Sequence, residues 1–215
     1  MKKIVKIMAS LISVFSFCTL VIHANDTNLK ETDYLKKYEL VLKDFQDKVA
    51  LSEKTGDLNV DFLNQILAYE QMGVEMGKAE LQFGNSKKLK AVTHDYIKVM
   101  KHEIREIEKL MKQMEEDPVI DEMKETEYLE LYTISYDAML LALQPEKEGE
   151  QIKKGGSVDR DFVTKFTPYL EFKLQFANHA LEKSGHEDIK ALASTIVLNS
   201  EKQLKVLKEM QELIK

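Results

Sequence analysis

Residues 60–83 read VDFLNQILAYEQMGVEMGKAELQF, and one hundred positions later residues 160–183 read RDFVTKFTPYLEFKLQFANHALEK. Asp61-Phe62 falls on Asp161-Phe162, Tyr69 on Tyr169 and Leu81 on Leu181, without a gap. The register continues through Leu89-Lys90-Ala91 on Ile189-Lys190-Ala191, and through Ile104, Ile107 and Leu110 on Leu204, Leu207 and Met210. In the first copy Phe62, Ile66, Tyr69, Met72, Met76 and Phe83 follow helical spacing along one side. Gly84-Asn85-Ser86 is a three-residue turn, and so short a connection makes the flanking helices antiparallel neighbours. Each copy is therefore a helical hairpin. A lone hairpin leaves an apolar face in water, so the two are expected to pack as one four-helix bundle, with two smaller separate bundles as the alternative.

Two more helices flank the copies. One runs about 31–54, with Leu35, Tyr38, Leu42, Phe45 and Val49 in its stripe, and Thr55-Gly56-Asp57 ends it. The other follows Asp117-Pro118 to about 143, with Tyr128, Leu131, Ser135, Met139 and Ala142 on one face. The hairpin helices are expected over about 60–83, 87–116, 159–183 and 187–214, with Asn59 or Asp61 capping the first. The predicted fold is all-α: six helices, a duplicated hairpin forming a ferritin-like four-helix bundle, and two flanking helices. Gly73 and Gly77, four apart, are expected to let a neighbouring helix approach closely.

The chain has only 8 Gly and 3 Pro in 215 residues, too few for a fold with many tight turns. Its net charge of -6 disfavours nucleic acid as a partner, because phosphate binding draws on a basic excess. Residues 1–24 read as a secretory signal: Lys2, Lys3 and Lys6, then an uncharged apolar stretch to Ile22, then Ile22-His23-Ala24 as a cleavage site. Cleavage there removes Cys18, the single cysteine, and suits export to an oxidising compartment, periplasmic or extracellular. No later stretch has the ~20 apolar residues that a membrane-spanning helix takes. The organisation expected is a signal over 1–24, a first repeat with its flanking helices over 25–144, a charged Gly-containing linker over 145–158, and a second repeat over 159–215.

The repeat resembles the exported bacterial copper-binding family of CopM-like proteins, a domain of unknown function with a ferritin-like layout. The likeness rests on Asp61-Phe62-Leu63, Gln71-Met72 and Met76-Gly77-Lys78-Ala79 in the first helix, and on Leu89-Lys90-Ala91-Val92 and Glu103-Ile104 in the second. In the other copy it rests on Asp161-Phe162-Val163, Pro168 and Ile189-Lys190-Ala191-Leu192-Ala193. The resemblance implies an exported helical bundle that sequesters copper without a reaction. The His-His pair that the family offers to metal is replaced by Tyr69-Glu70 in one copy and by Tyr169-Leu170 in the other.

Four side chains are the candidate metal ligands: Met72, Met76, Glu70 and His179. Met72 and Met76 lie four apart, so both thioethers face the same way, and soft sulfur suits Cu(I). Thioethers also fill irregular cores, and that is the competing reading. His179 follows Phe172 and Phe176 at helical spacing, either as an inward ligand or as the polar end of an apolar stripe. His94 and His102 share a side with Lys98, Lys101 and Arg105 and read as a solvated face. No His has a Glu three residues before it, so a ferritin-type di-iron centre is excluded. No phosphate-cradling loop and no His-Glu-x-x-His motif occurs, and the chain is not expected to be an enzyme or to require a cofactor. Copper ion is the candidate partner. A degenerate relative without metal, acting as a structural or interaction module, is the alternative.

Overall fold

The computed structural model describes residues 29–52, 55–114, 122–144 and 157–214. These residues form six helices and no strand: α1 (29–51), α2 (Leu58–Phe83), α3 (Lys87–Met114), α4 (Glu122–Leu143), α5 (Val158–Lys183) and α6 (Glu187–Leu213). The offset of one hundred reappears in the backbone. α5 begins and ends one hundred residues after α2, and α6 begins one hundred after α3. The signal at 1–24, the stretch around Pro118 and most of the linker, 145–156, lie outside the described residues.

The cap of α2 is neither Asn59 nor Asp61. It is Asp57, whose carboxylate accepts the Asn59 amide at 2.8 Å, so the helix starts at Leu58. Asp61 is buried and instead accepts from the Thr55 amide and hydroxyl at 2.9 and 3.0 Å, holding the chain that enters the helix. Ser157 does for α5 what Asp57 does for α2, accepting the Arg160 amide at 3.2 Å.

The two hairpins pack into one bundle. α2 lies against α3 and α5, and α3 against α6. Aromatic rings join them across the centre: Phe62 to Phe176 at 5.7 Å between centroids, and Tyr96 to Phe166 at 6.0 Å. One continuous core therefore replaces the alternative of two separate bundles. The hairpins also grip each other's turns. Asp159, at the start of α5, accepts the Asn85 and Ser86 amides at 2.9 and 3.0 Å. Asn59, its counterpart in α2, accepts the Ser184 hydroxyl at 2.6 Å.

α1 and α4 are the flanking helices. Phe45 of α1 meets Tyr69 edge-on at 5.1 Å and Tyr136 of α4 at 6.0 Å, and the Tyr38 hydroxyl donates to the Leu143 carbonyl oxygen at 2.8 Å. α4 packs chiefly on α5. Gly73 and Gly77 are points of close approach, as expected. A methyl group at Gly73 would collide with Tyr169 Oη and stand 2.6 Å from Met100 Sδ, and one at Gly77 would stand 2.9 Å from Ile97.

Candidate functional site

The centre of the bundle holds three charged side chains. Lys173 of α5, fully buried, places its Nζ 2.7 Å from Glu70 Oε1 of α2 and 2.9 Å from Glu103 Oε2 of α3. Asn199 of α6 donates to the other Glu103 oxygen at 2.8 Å. All four bundle helices thus meet at one polar cluster inside an apolar core. Ions are taken out of water at a cost of several kcal/mol each, and only close pairing offsets it.

The protonation pattern follows from that burial. Burial pushes the Glu70 carboxyl up to about 8, with Lys173 opposing and the neighbouring Glu103 adding to the rise. Burial alone would depress the Lys173 ammonium, but the two carboxylates outweigh it and hold it above its ordinary value. The Lys173 ammonium thus stands as the counter-charge to both carboxyl groups and occupies the space between them.

The four candidate ligands do not converge. Glu70 is held by Lys173. Met72 and Met76 are both buried and packed with the apolar core. Glu70 is two residues from Met72, about 200° around the helix, so it faces away from the thioether side. His179 is half-buried on the α4 side of α5, with its ring stacked on Tyr128 at 5.6 Å. Among the described residues no group of three or more His, Cys, Asp or Glu side chains is placed to hold a metal. Of the expected donors, Glu70 is thus the one engaged by a tethered cation. His94 and His102 are exposed on α3.

Sequence reasoning missed Lys173. A signal was available: position 173 lies four after Tyr169 and seven after Phe166, inside the apolar stripe of α5. Glu103 likewise lies seven after Tyr96 and four before Ile107 in the stripe of α3. Charged residues at core register positions imply partners, but only the folded structure shows which ones.

A second buried acid sits near the bundle end. Glu80 is buried beside Asp159, and burial first, then the like charge of Asp159, pushes its carboxyl up to about 9. No described helix is long and apolar enough to cross a membrane.

The fold is similar to solved structures of CopM. The apo form aligns with a TM-score of 0.52 at 16% identity, covering 72% of this chain and 96% of that one. A silver-bound form obtained by soaking aligns at 0.53 and 15% identity, covering 74% and 97%, and a Cu(II)-bound form at 0.52 and 15%, covering 72% and 95%. No curated protein sequence matches the chain. The model of the domain of unknown function DUF305 matches residues 59–212, from the start of α2 to the end of α6, and the chain belongs to that family.

Proposed function

We propose that this protein is an exported, non-enzymatic binding module of the cell envelope, whose bundle core is neutralised by its own lysine in place of a metal ion. The observation that carries this reading is the Lys173 ammonium between Glu70 and Glu103, fully buried and within 2.9 Å of both. A tethered cation in that place competes with any metal at an effective concentration no free ion reaches. The residues available for function are then those on the outer faces of the helices.

A second reading has one specific support: the fold is that of CopM, which has been solved with silver and with Cu(II). On that reading Met72 and Met76 take Cu(I) as a thioether pair, and the protein sequesters copper. A Cu(I) competition titration separates the two. Residues 25–215 are titrated beside a Met72→Leu/Met76→Leu variant and an unrelated Met-containing helical protein. The metal-independent reading expects equal, weak uptake by all three. One-to-one binding that disappears in the double variant overturns it and establishes the thioether site.

A further inference from the structure

The two joints between the hairpins stand at opposite ends of α2 and differ in chemistry. At one end Asn59 accepts the Ser184 hydroxyl, an amide meeting an alcohol with no charge on either. At the other, Asp159 accepts the Asn85 and Ser86 amides just beyond Gly84. Only this second joint holds a further acid. Glu80 stands there on α2, and its counterpart in α5 is Ala180.

Glu80 is fully buried in the last turn of α2. Its carboxyl folds back on the helix end, where a methyl group at Gly84 would collide with Glu80 Oε1. Neither of its oxygens receives a hydrogen bond, and the carboxyl lies within hydrogen-bonding reach of Asp159. The other groups facing it are Lys90 of α3, which acts on it only at a distance, and Tyr34 of α1, which donates to Asp161 of α5. Two carboxyl groups buried together cannot both ionise, and a shared proton relieves them. The acid then donates and the carboxylate accepts, a charge-assisted hydrogen bond. Burial first, and Asp159 after it, hold the Glu80 proton by pushing its carboxyl up to about 9.

The core is thin at this end. Tyr34, Ala79 and Val158, with Leu35 and Phe83 against them, form a small cluster apart from the main one. Tyr34 meets Phe83 edge-on at 6.4 Å. Local opening is least costly where few apolar contacts break, so this end has the means to release while the main core stays packed.

We infer that Glu80 and Asp159 form a proton-operated clasp: one shared proton holds the α2–α3 turn onto the start of α5, and its loss frees that end of the bundle while the Asn59–Ser184 joint stays closed. Glu80 is protonated when the clasp is shut and ionises once it opens, because the freed carboxyl returns to its ordinary value of 4.5. Opening therefore releases a proton and becomes easier as pH rises from 4.5 towards about 9. The neutral joint carries no such dependence.

The test follows amide hydrogen exchange by NMR in residues 25–215 at pH 6, 7 and 8, with rates corrected for intrinsic exchange. The opening constant reported by Asn85 and Ser86 is expected to rise about tenfold more per pH unit than that reported by Ser184, the slope of one released proton. Glu80→Gln, whose amide donates to Asp159 at every pH, is expected to keep the fold and remove the extra slope. In the wild type, the Glu80 carboxyl carbon is expected to show the 13C shift of a neutral acid at pH 7. Equal slopes at the two joints, a slope that survives Glu80→Gln, or an ionised Glu80 at pH 7 overturns the clasp.

Discussion

The Tyr169 hydroxyl donates to the backbone carbonyl oxygen of Tyr69 at 3.1 Å, linking two residues that hold the same position in the two hairpins. The contact is possible because residue 73 is glycine, which leaves room for the incoming phenol. At the matching position of the other hairpin stands Lys173, whose ammonium fills its own part of the centre. One duplicated pattern thus supplies a tyrosine wedge at one place and a buried cation at the other.

Gly73→Ala forces a methyl group into Tyr169 and Met100. It is expected to destabilise the fold by about 1–3 kcal/mol. Gly185→Ala, which meets nothing within 4 Å, is expected to stay within about 0.5 kcal/mol of the wild type. Urea denaturation of both variants checks this. Equal midpoints would show that α2 and α5 do not approach as described.

Lys173→Met leaves the buried carboxyls without their cation and is expected to cost about 3–5 kcal/mol at pH 7. Adding Glu103→Gln removes the stranded charge and is expected to regain much of that loss. A double variant no more stable than the single one contradicts the coupling.

The two raised acids set a pH dependence. Glu70 titrates at about 8 and Glu80 at about 9 in the folded chain, against 4.5 as the ordinary value. Between those pH values the folded state holds protons that the unfolded state has released. Stability from these groups is therefore fully present below about pH 4.5 and falls as pH rises towards 8 and 9. Glu80→Gln keeps a neutral side chain at all pH and is expected to gain about 1–3 kcal/mol over the wild type at pH 8 and little at pH 4. Denaturation curves at pH 4, 6 and 8 decide it, and a constant offset between the two proteins rules out Glu80 as the titrating group.

Asp159 and Ser184 each tie one hairpin to the other's turn region. Asp159→Ala is expected to cost about 1–3 kcal/mol by freeing the Asn85 and Ser86 amides. Ser184→Ala, which removes the hydroxyl that donates to Asn59 and accepts the His186 amide at 3.0 Å, is expected to cost about 1–3 kcal/mol. Hydrogen exchange at the Asn85 and Ser86 amides should accelerate in the first variant and not in the second.

The repeat of Asp61-Phe62 at Asp161-Phe162, the short turns and the apolar stripes determined six helices and a paired-hairpin bundle, because helical periodicity and turn length are local properties of the chain. The close approach at Gly73 and Gly77 was legible for the same reason: a small residue on an apolar stripe implies a neighbour. The start of α2 was not, since Asp57, Asn59 and Asp61 are all good caps and only the path of the entering chain chooses among them. Composition could not show that Glu70 faces Lys173 rather than a metal, nor that Glu80 lies beside Asp159. Those pairings join residues far apart in the chain, and which side chain meets which across α2 and α5 depends on how the helices rotate and slide as they pack. The sequence by itself settled the buried faces of the hairpin helices but not that of α4, where Tyr132 and Leu143 are buried beside Tyr128 and Met139 while Leu131 and Ala142 are exposed; the tertiary structure alone decided which charges and rings meet there, because electrostatic pairing and desolvation act through space and not along the chain.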